Sequence, residues 1–142
     1  MEFPNLDWSH VQPMMMKIAA CYLMALPVGW EREWDARTAG IRTFPLVTGA
    51  SCGYMPAGES LAGSEVAARL MEGVMTGIGF IGGGAILKDN MGVHGTATAA
   101  SIWIIGAVGI SVSQGRYYPG LLMSAITFLT LRLPKPFKRE RQ

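Results

Sequence analysis

The chain has 142 residues, of which half are hydrophobic and only 15% are charged, and its formal net charge is +2. Ordinary soluble domains carry roughly 25% charged residues, so this balance argues against one. The length suits a single compact unit and is too short for a large protein that buries several all-apolar helices at its centre.

Charged residues are clustered, and the sequence between the clusters forms five apolar stretches. They are Met14–Trp30, Thr43–Met55, Leu70–Leu87, Ala97–Val112 and Tyr118–Leu131. A membrane-spanning helix needs about 20 mostly apolar residues, with a lower limit near 17. The first and third stretches meet that limit, and the second is the weakest. The sequence predicts an all-α membrane protein with a bundle of about five transmembrane helices, and it leaves open whether residues 43–55 cross fully.

A charged segment follows the first apolar stretch. It contains Glu31, Arg32, Glu33, Trp34 and Asp35, followed by Arg37, Arg42 and Thr43. If the helix continues, Glu31 shares a face with Asp35, and Glu33 shares one with Arg37. One interpretation is a solvated, self-paired segment that only sets orientation. The other is that Glu31 or Glu33 faces the bundle interior at its cytoplasmic end and binds a cation or relays protons.

The third stretch contains six glycines between Gly73 and Leu87 and no charge. Gly77-x-Gly79-x-x-Gly82 matches a dinucleotide-binding pattern, but that pattern needs a preceding strand and an acidic residue about 20 positions later. Neither is present. Small residues four apart instead favour close packing of membrane helices. The predicted helix-packing residues are Gly73, Gly77, Gly79, Gly82 and Gly83.

Polar residues also flank the third and fourth stretches. Glu72 lies in the first turn of the third predicted span, where an acid favours the helix terminus. Residues 88–94 predict a short polar turn, and the hydroxyls of Thr96, Thr98 and Ser101 are expected to cap the fourth helix. His94 beside Asp89 offers too few ligands for a metal site.

These side chains define no catalytic or cofactor site. No serine, cysteine or histidine arrangement indicates nucleophilic catalysis, so the sequence predicts neither an enzyme nor a bound cofactor. Mg²⁺ binding has only weak candidate ligands, without a defined site. They are Glu31, Glu33, Glu72 and Asp89.

Lys and Arg outside the predicted helices indicate the orientation, because cytoplasmic segments carry an excess of them. With the amino terminus outside, the inner segments hold nine and the outer segments hold only Arg69 and Arg116. We predict a short extracytoplasmic segment over residues 1–13, a transmembrane domain over 14–131 and a basic cytoplasmic tail over 132–142. The tail is expected to contact anionic lipid. It has no folded basic face, so nucleic-acid binding is not predicted.

Three sequence blocks carry a family resemblance. The first joins Glu31-Arg32-Glu33 to Ala39-Gly40-Ile41-Arg42-Thr43, the second is Thr76–Gly82, and the third runs from Gly92-Val93-His94-Gly95 into Thr98–Trp103. In this order and spacing they resemble the MgtC/SapB family of bacterial inner-membrane proteins. The polar positions that carry the resemblance or lie beside it are Glu31, Arg32, Glu33, Arg37, Arg42, Thr43, His94 and Thr98.

The resemblance implies a five-span, multi-pass helical protein of the bacterial inner membrane. Members of this family are associated with growth at low magnesium and with survival inside host cells, which links them to virulence. Many continue into a soluble cytoplasmic domain after the fifth helix, whereas this sequence ends at Gln142, so only the membrane domain is expected. His94 stands where the family usually has a basic residue, most often Arg.

Two functions follow as hypotheses. The first is a regulatory or interaction protein in magnesium or acid stress that acts through helix contacts in the lipid bilayer, as a homo-oligomer or with another inner-membrane complex. The second is a small carrier of Mg²⁺ or protons that uses Glu31, Glu33 and Glu72 as polar stations. The carrier hypothesis is weakened because none of these acids lies at mid-membrane, where carriers bind their substrates.

Overall fold

The computed structural model describes residues 8–35, 39–62, 64–89 and 92–133. This part of the chain contains five α-helices and one short pair of strands. The helices are α1 (Trp8–Asp35), α2 (Thr43–Ala62), α3 (Ser64–Gly84), α4 (Thr96–Ser113) and α5 (Tyr117–Arg132), and the strands are β1 (Leu87–Asp89) and β2 (Gly92–His94). The prediction of a helical bundle is confirmed, and each apolar stretch supplies most of one helix.

Two of the described helices are long and apolar enough to cross a membrane. These segments are Val11–Trp34 in α1 and Thr96–Ser113 in α4. By helical rise, the 28 residues of α1 extend about 42 Å, more than the roughly 30 Å hydrocarbon core of a bilayer. The prediction of five spans stays a prediction for α2, α3 and α5.

The core is centred on α4, which packs against each of the other four helices. Ile102, Ile105, Val108 and Val112 of this helix are fully buried. Side chains from the other helices cover them on several sides, including fully buried Phe44 of α2. Cys21 and Cys52 are free thiols in the same core, where they act as small packing residues. The absence of a polar stripe on α4 therefore follows from its central position.

Close helix packing in this core depends on glycines of α1 and α4. A methyl group added at Gly109 would overlap the Thr48 carbonyl oxygen of α2, and one added at Gly106 would overlap the Ile78 side chain of α3. A methyl group at Gly29 would lie 3.1 Å from the Ile41 Cα atom. Since small residues let backbones approach, these positions set the spacing of the bundle.

The polar turn predicted over residues 88–94 is an antiparallel β-hairpin. Leu87 pairs with His94, Lys88 with Val93 and Asp89 with Gly92. The hairpin begins early because α3 ends at Gly84, before the apolar residues that follow it. There, the Ala85 and Ile86 N–H groups donate to the carbonyls of Gly82 and Gly83, three residues back. This tighter pattern closes the helix and turns the chain.

Candidate functional site

The candidate site lies at the C-terminal end of α1, where two oppositely charged side chains are buried. Glu31 is 9% exposed and Arg32 is 5% exposed, whereas the next residues, Glu33 and Trp34, are exposed. Each of the two buried residues has at least one interaction partner. Burial of charge is costly unless the charge is paired and hydrogen-bonded, and this end of the bundle is the one place in the described core where charged side chains are buried. Of the two acids considered for the interior, Glu31 is the one that is buried.

Glu33 has a different role, because its carboxylate holds the segment that leads into α2. Its Oε2 atom accepts the N–H of Ile41 at 3.0 Å. Gly40 packs directly on the same side chain, and an added methyl group there would overlap Oε2 and lie 2.9 Å from the Glu33 Cα atom. The carbonyl of Gly40 then accepts the N–H of Phe44 at 3.2 Å, in the first turn of α2. Glu33 and Gly40 therefore fix the end of α1 against the start of α2.

The remaining charged residues of this segment lie outside the buried centre. Arg42 is exposed, and Thr43 is half-buried at the first position of α2. Arg37, which was predicted to share a helix face with Glu33, lies outside the described residues, as does the side chain of Asp35. The i,i+4 pairs predicted for this segment therefore stay predictions.

The N-terminal turn of α4 contributes a third buried polar group. Thr98 is fully buried, and within the described part of the chain its Oγ1 atom has no hydrogen-bond partner. The expectation that hydroxyls cap this helix is wrong, because the cap position is taken by Gly95 without a side-chain cap bond. Ser101 Oγ instead donates to the Ala97 carbonyl at 2.6 Å. Gly95 has φ +86°, and a methyl group added there would overlap the Ala85 carbonyl oxygen, so a side chain is excluded.

The helix register places Thr98 near the depth of Glu31 and Arg32. Lys17 Nζ donates to the Ser113 carbonyl at 2.6 Å, which ties the N-terminal half of α1 to the last turn of α4. The two helices run in opposite directions. The same number of residues separates Lys17 from Arg32 on α1 and Ser113 from Thr98 on α4, about 22 Å by helical rise. Arg32 and Thr98 therefore lie at a similar distance along the bundle from this contact. A buried acid, a buried cation and a buried hydroxyl thus occupy one end of the bundle.

Lys17 is a structural residue that the sequence reasoning missed. It lies within the first apolar stretch and supplies a cation to a C-terminal carbonyl of α4, one of the groups that a helix leaves without an internal partner. The available signal was the lone charge itself. An ionisable residue inside a membrane-spanning segment is expected to have a specific partner.

The weak metal-ligand candidates whose side chains are described are divided between α1 and α3. Glu72 is exposed on α3, and its carbonyl accepts Thr76 Oγ1 at 2.8 Å. His94 is exposed on β2, and the side chain of Asp89 lies outside the description. Within the described ranges, no group of three or more His, Cys, Asp or Glu side chains could hold a metal ion.

The glycines predicted for helix packing divide into three groups on α3. Gly82 contacts α4, where an added methyl group would lie 3.3 Å from the Ala99 carbonyl oxygen. Gly73 and Gly77 line a groove between α2 and α3. Gly79 and Gly83 point elsewhere, because Gly79 is rotated about 200° around the helix from Gly77. At Gly73, Gly77, Gly79 and Gly83, an added methyl group would have no described atom from a neighbouring part of the chain within 4 Å.

Comparison with known proteins supports the resemblance seen in the sequence. The MgtC family model matches residues 18–140. Protein MgtC of Salmonella typhimurium strain LT2 is 32% identical over 115 residues, which are 80% of this chain and 49% of that protein. Protein MgtC of Brucella abortus strain 2308 is 31% identical over 108 residues, covering 76% of this chain and 45% of the relative.

A cyanobacterial protein, the uncharacterized protein slr0014 of Synechocystis, is 28% identical over 124 residues, or 87% of this chain and 52% of its own length. The chain thus spans about half the length of the curated relatives it matches. No solved structure matches it. The relatives and the two apolar helices indicate a membrane protein, and the match over most of the sequence shows that this chain belongs to the MgtC family.

Proposed function

We propose that the chain is a multi-pass protein of the bacterial inner membrane that regulates adaptation to low magnesium or acid stress through contacts between helices, without enzymatic activity. Family membership and the two apolar helices support the membrane setting. The excess of Lys and Arg on one side supports an amino terminus outside and a carboxyl terminus in the cytoplasm. The partner is a second copy of the chain or another complex of the same membrane.

The exposed face of α3 supports a role in helix–helix contacts most directly. Glu72, Thr76, Gly79 and Gly83 are all exposed and recur at helical spacing on that face. Next to them, Phe80 is 86% exposed. The two glycines leave room for another backbone to approach, which is how small residues four apart bring membrane helices together. We name this surface the Gly79 face.

The test is self-association in membranes after the Gly79 face is obstructed. Gly79→Leu or Gly83→Leu places a branched side chain where the second backbone would pack, and we expect the crosslinked dimer to fall about tenfold. The helix itself should tolerate the change, since no described atom occupies that space. Leu122→Met, at an exposed position of α5, is the matched control. Equal crosslinking of all these variants and the natural chain would contradict the proposal.

A carrier of Mg²⁺ or protons is the alternative function, and the burial of Glu31 beside Arg32 favours it. In liposomes with imposed Mg²⁺ and pH gradients, a carrier would move ions faster than empty vesicles do. Glu31→Gln would then reduce the flux several-fold, because it removes the buried charge. Glu72→Gln should lower the flux as well if this acid acts as a second station. Flux no greater than in empty liposomes would remove this alternative.

A further inference from the structure

An apolar groove runs along the bundle between α2 and α3, with a volume of about 570 Å³. Val47, Ala50 and Ser51 form the α2 side, and Gly73, Gly77 and Ile81 form the α3 side. The groove exists because the two glycines have no side chains to fill it. Ser51 adds little polarity, since its hydroxyl donates to the Val47 carbonyl at 2.8 Å.

The two ends of this groove differ in chemistry. Arg69 and Tyr54 line one end, and Phe80 and Ile81 line the other. Arg69 also pairs with Glu65 at 3.0 Å, but both side chains are more than three-quarters exposed. Such an exposed pair is weak, and the contact uses one of the five N–H donors of the guanidinium. Arg69 can therefore still bind an anion at this end of the groove.

The length of the groove corresponds to one leaflet of a bilayer. From Arg69 to Ile81, α3 rises about 18 Å, and half of a hydrocarbon core is about 15 Å thick. We propose that this groove binds one acyl chain of an anionic phospholipid, with the lipid phosphate held by Arg69 and the chain lying over Gly73 and Gly77. The inference rests on the proposed membrane setting and is independent of self-association through the Gly79 face.

A second helix fits this groove less well. A helix surface gives no reason for a cation at one end of the groove and purely apolar side chains, Phe80 and Ile81, at the other. A lipid has this same asymmetry, with an anionic head and an apolar tail.

The first test separates the headgroup from the acyl chain. Purified full-length protein is loaded with phosphatidylglycerol or phosphatidylcholine of identical chains, and retained lipid is measured by native mass spectrometry. We expect one phosphatidylglycerol per chain to be preferred, and Arg69→Gln to weaken its binding about tenfold. Arg116→Gln, which removes another exposed cation, is the matched control. Equal loss in both arginine variants, or no preference for phosphatidylglycerol, would overturn the proposal.

The second test fills the groove. Gly77→Leu places a side chain where the acyl chain lies and should abolish retention of both lipids, while Gly79→Leu on the other side of α3 should leave retention intact. The space around both glycines is open, so both variants are expected to fold, which far-ultraviolet circular dichroism checks. Unchanged lipid retention in Gly77→Leu would refute the groove as the site. Normal assembly of Gly79→Leu would refute only the self-association proposal.

Discussion

Thr98 combines complete burial with a hydroxyl that has no hydrogen-bond partner in the described part of the chain. Leaving a buried polar group unsatisfied costs about 1–3 kcal/mol, so it is a poor choice for stability alone. The register places it at a similar distance along the bundle to the buried Glu31 and Arg32. Functional sites often contain residues that lower stability, so the unsatisfied hydroxyl of Thr98 is consistent with a functional role for this polar centre.

Replacing Thr98 with valine tests this cost directly. Thr98→Val keeps the shape and removes the unsatisfied hydroxyl, so we expect the free energy of unfolding to rise by about 1 kcal/mol. The measurement is denaturant unfolding in mixed micelles, followed by tryptophan fluorescence. Thr96→Val, at an exposed position of the same turn, is the control and should change little. A less stable Thr98→Val protein would mean that the hydroxyl makes a stabilising contact.

At the scale of single elements, the sequence predicted where the helices lie better than how they pack. The apolar stretch Ala97–Val112 is one residue short of α4 at each end, because the terminal helix residues Thr96 and Ser113 are polar. The third apolar stretch was extended to Leu87, whereas α3 ends at Gly84. The prediction was wrong there because Ala85, Ile86 and Leu87 are as apolar as the helix before them. Apolar composition alone cannot distinguish the last turn of a helix from the first residues of a strand.

The glycines show the limit of the same reasoning. Spacing drew attention to α3, yet within the described chain the tightest helix contacts are at Gly106 and Gly109 of α4. Contact at a glycine depends on which backbone lies opposite, and that is set by residues far away in the sequence. Lys17 was missed for the same reason, because its partner Ser113 is separated from it by most of the chain.

Helix packing at Gly109 leads to a stability prediction. Gly109→Ala would force a methyl group against the Thr48 carbonyl and Ser51 Cβ, so we expect a loss of about 1–3 kcal/mol in the free energy of unfolding. Gly53→Ala in α2 is the control, because its added methyl group would meet only the end of the Met14 side chain at 3.9 Å. Unfolding in micelles should separate the two variants. Similar stabilities would show that α2 and α4 can move apart at little cost.

At the scale of the whole molecule, the five-helix architecture and one buried acid could be predicted, whereas the polar centre as a unit could not. Glu31 was a candidate from its position beside an apolar stretch. The different roles of Glu31 and Glu33 could be assigned only from the fold. The hydrogen bond from the Ile41 N–H to Glu33 shows that Glu33 is the structural acid. The placement of Thr98 required the register of two helices distant in sequence.

The anchors of α1 constrain how this molecule can change shape. Lys17 fastens the helix to α4 near one end, and Glu33 fastens it to the start of α2 near the other. Sliding or tilting of α1 would break both attachments together. By contrast, Ile78 is the one buried apolar side chain that the described part of α3 contributes to the core. A movement of α3 that leaves α1 in place would therefore separate little buried apolar surface, and it would change the width of the groove between α2 and α3.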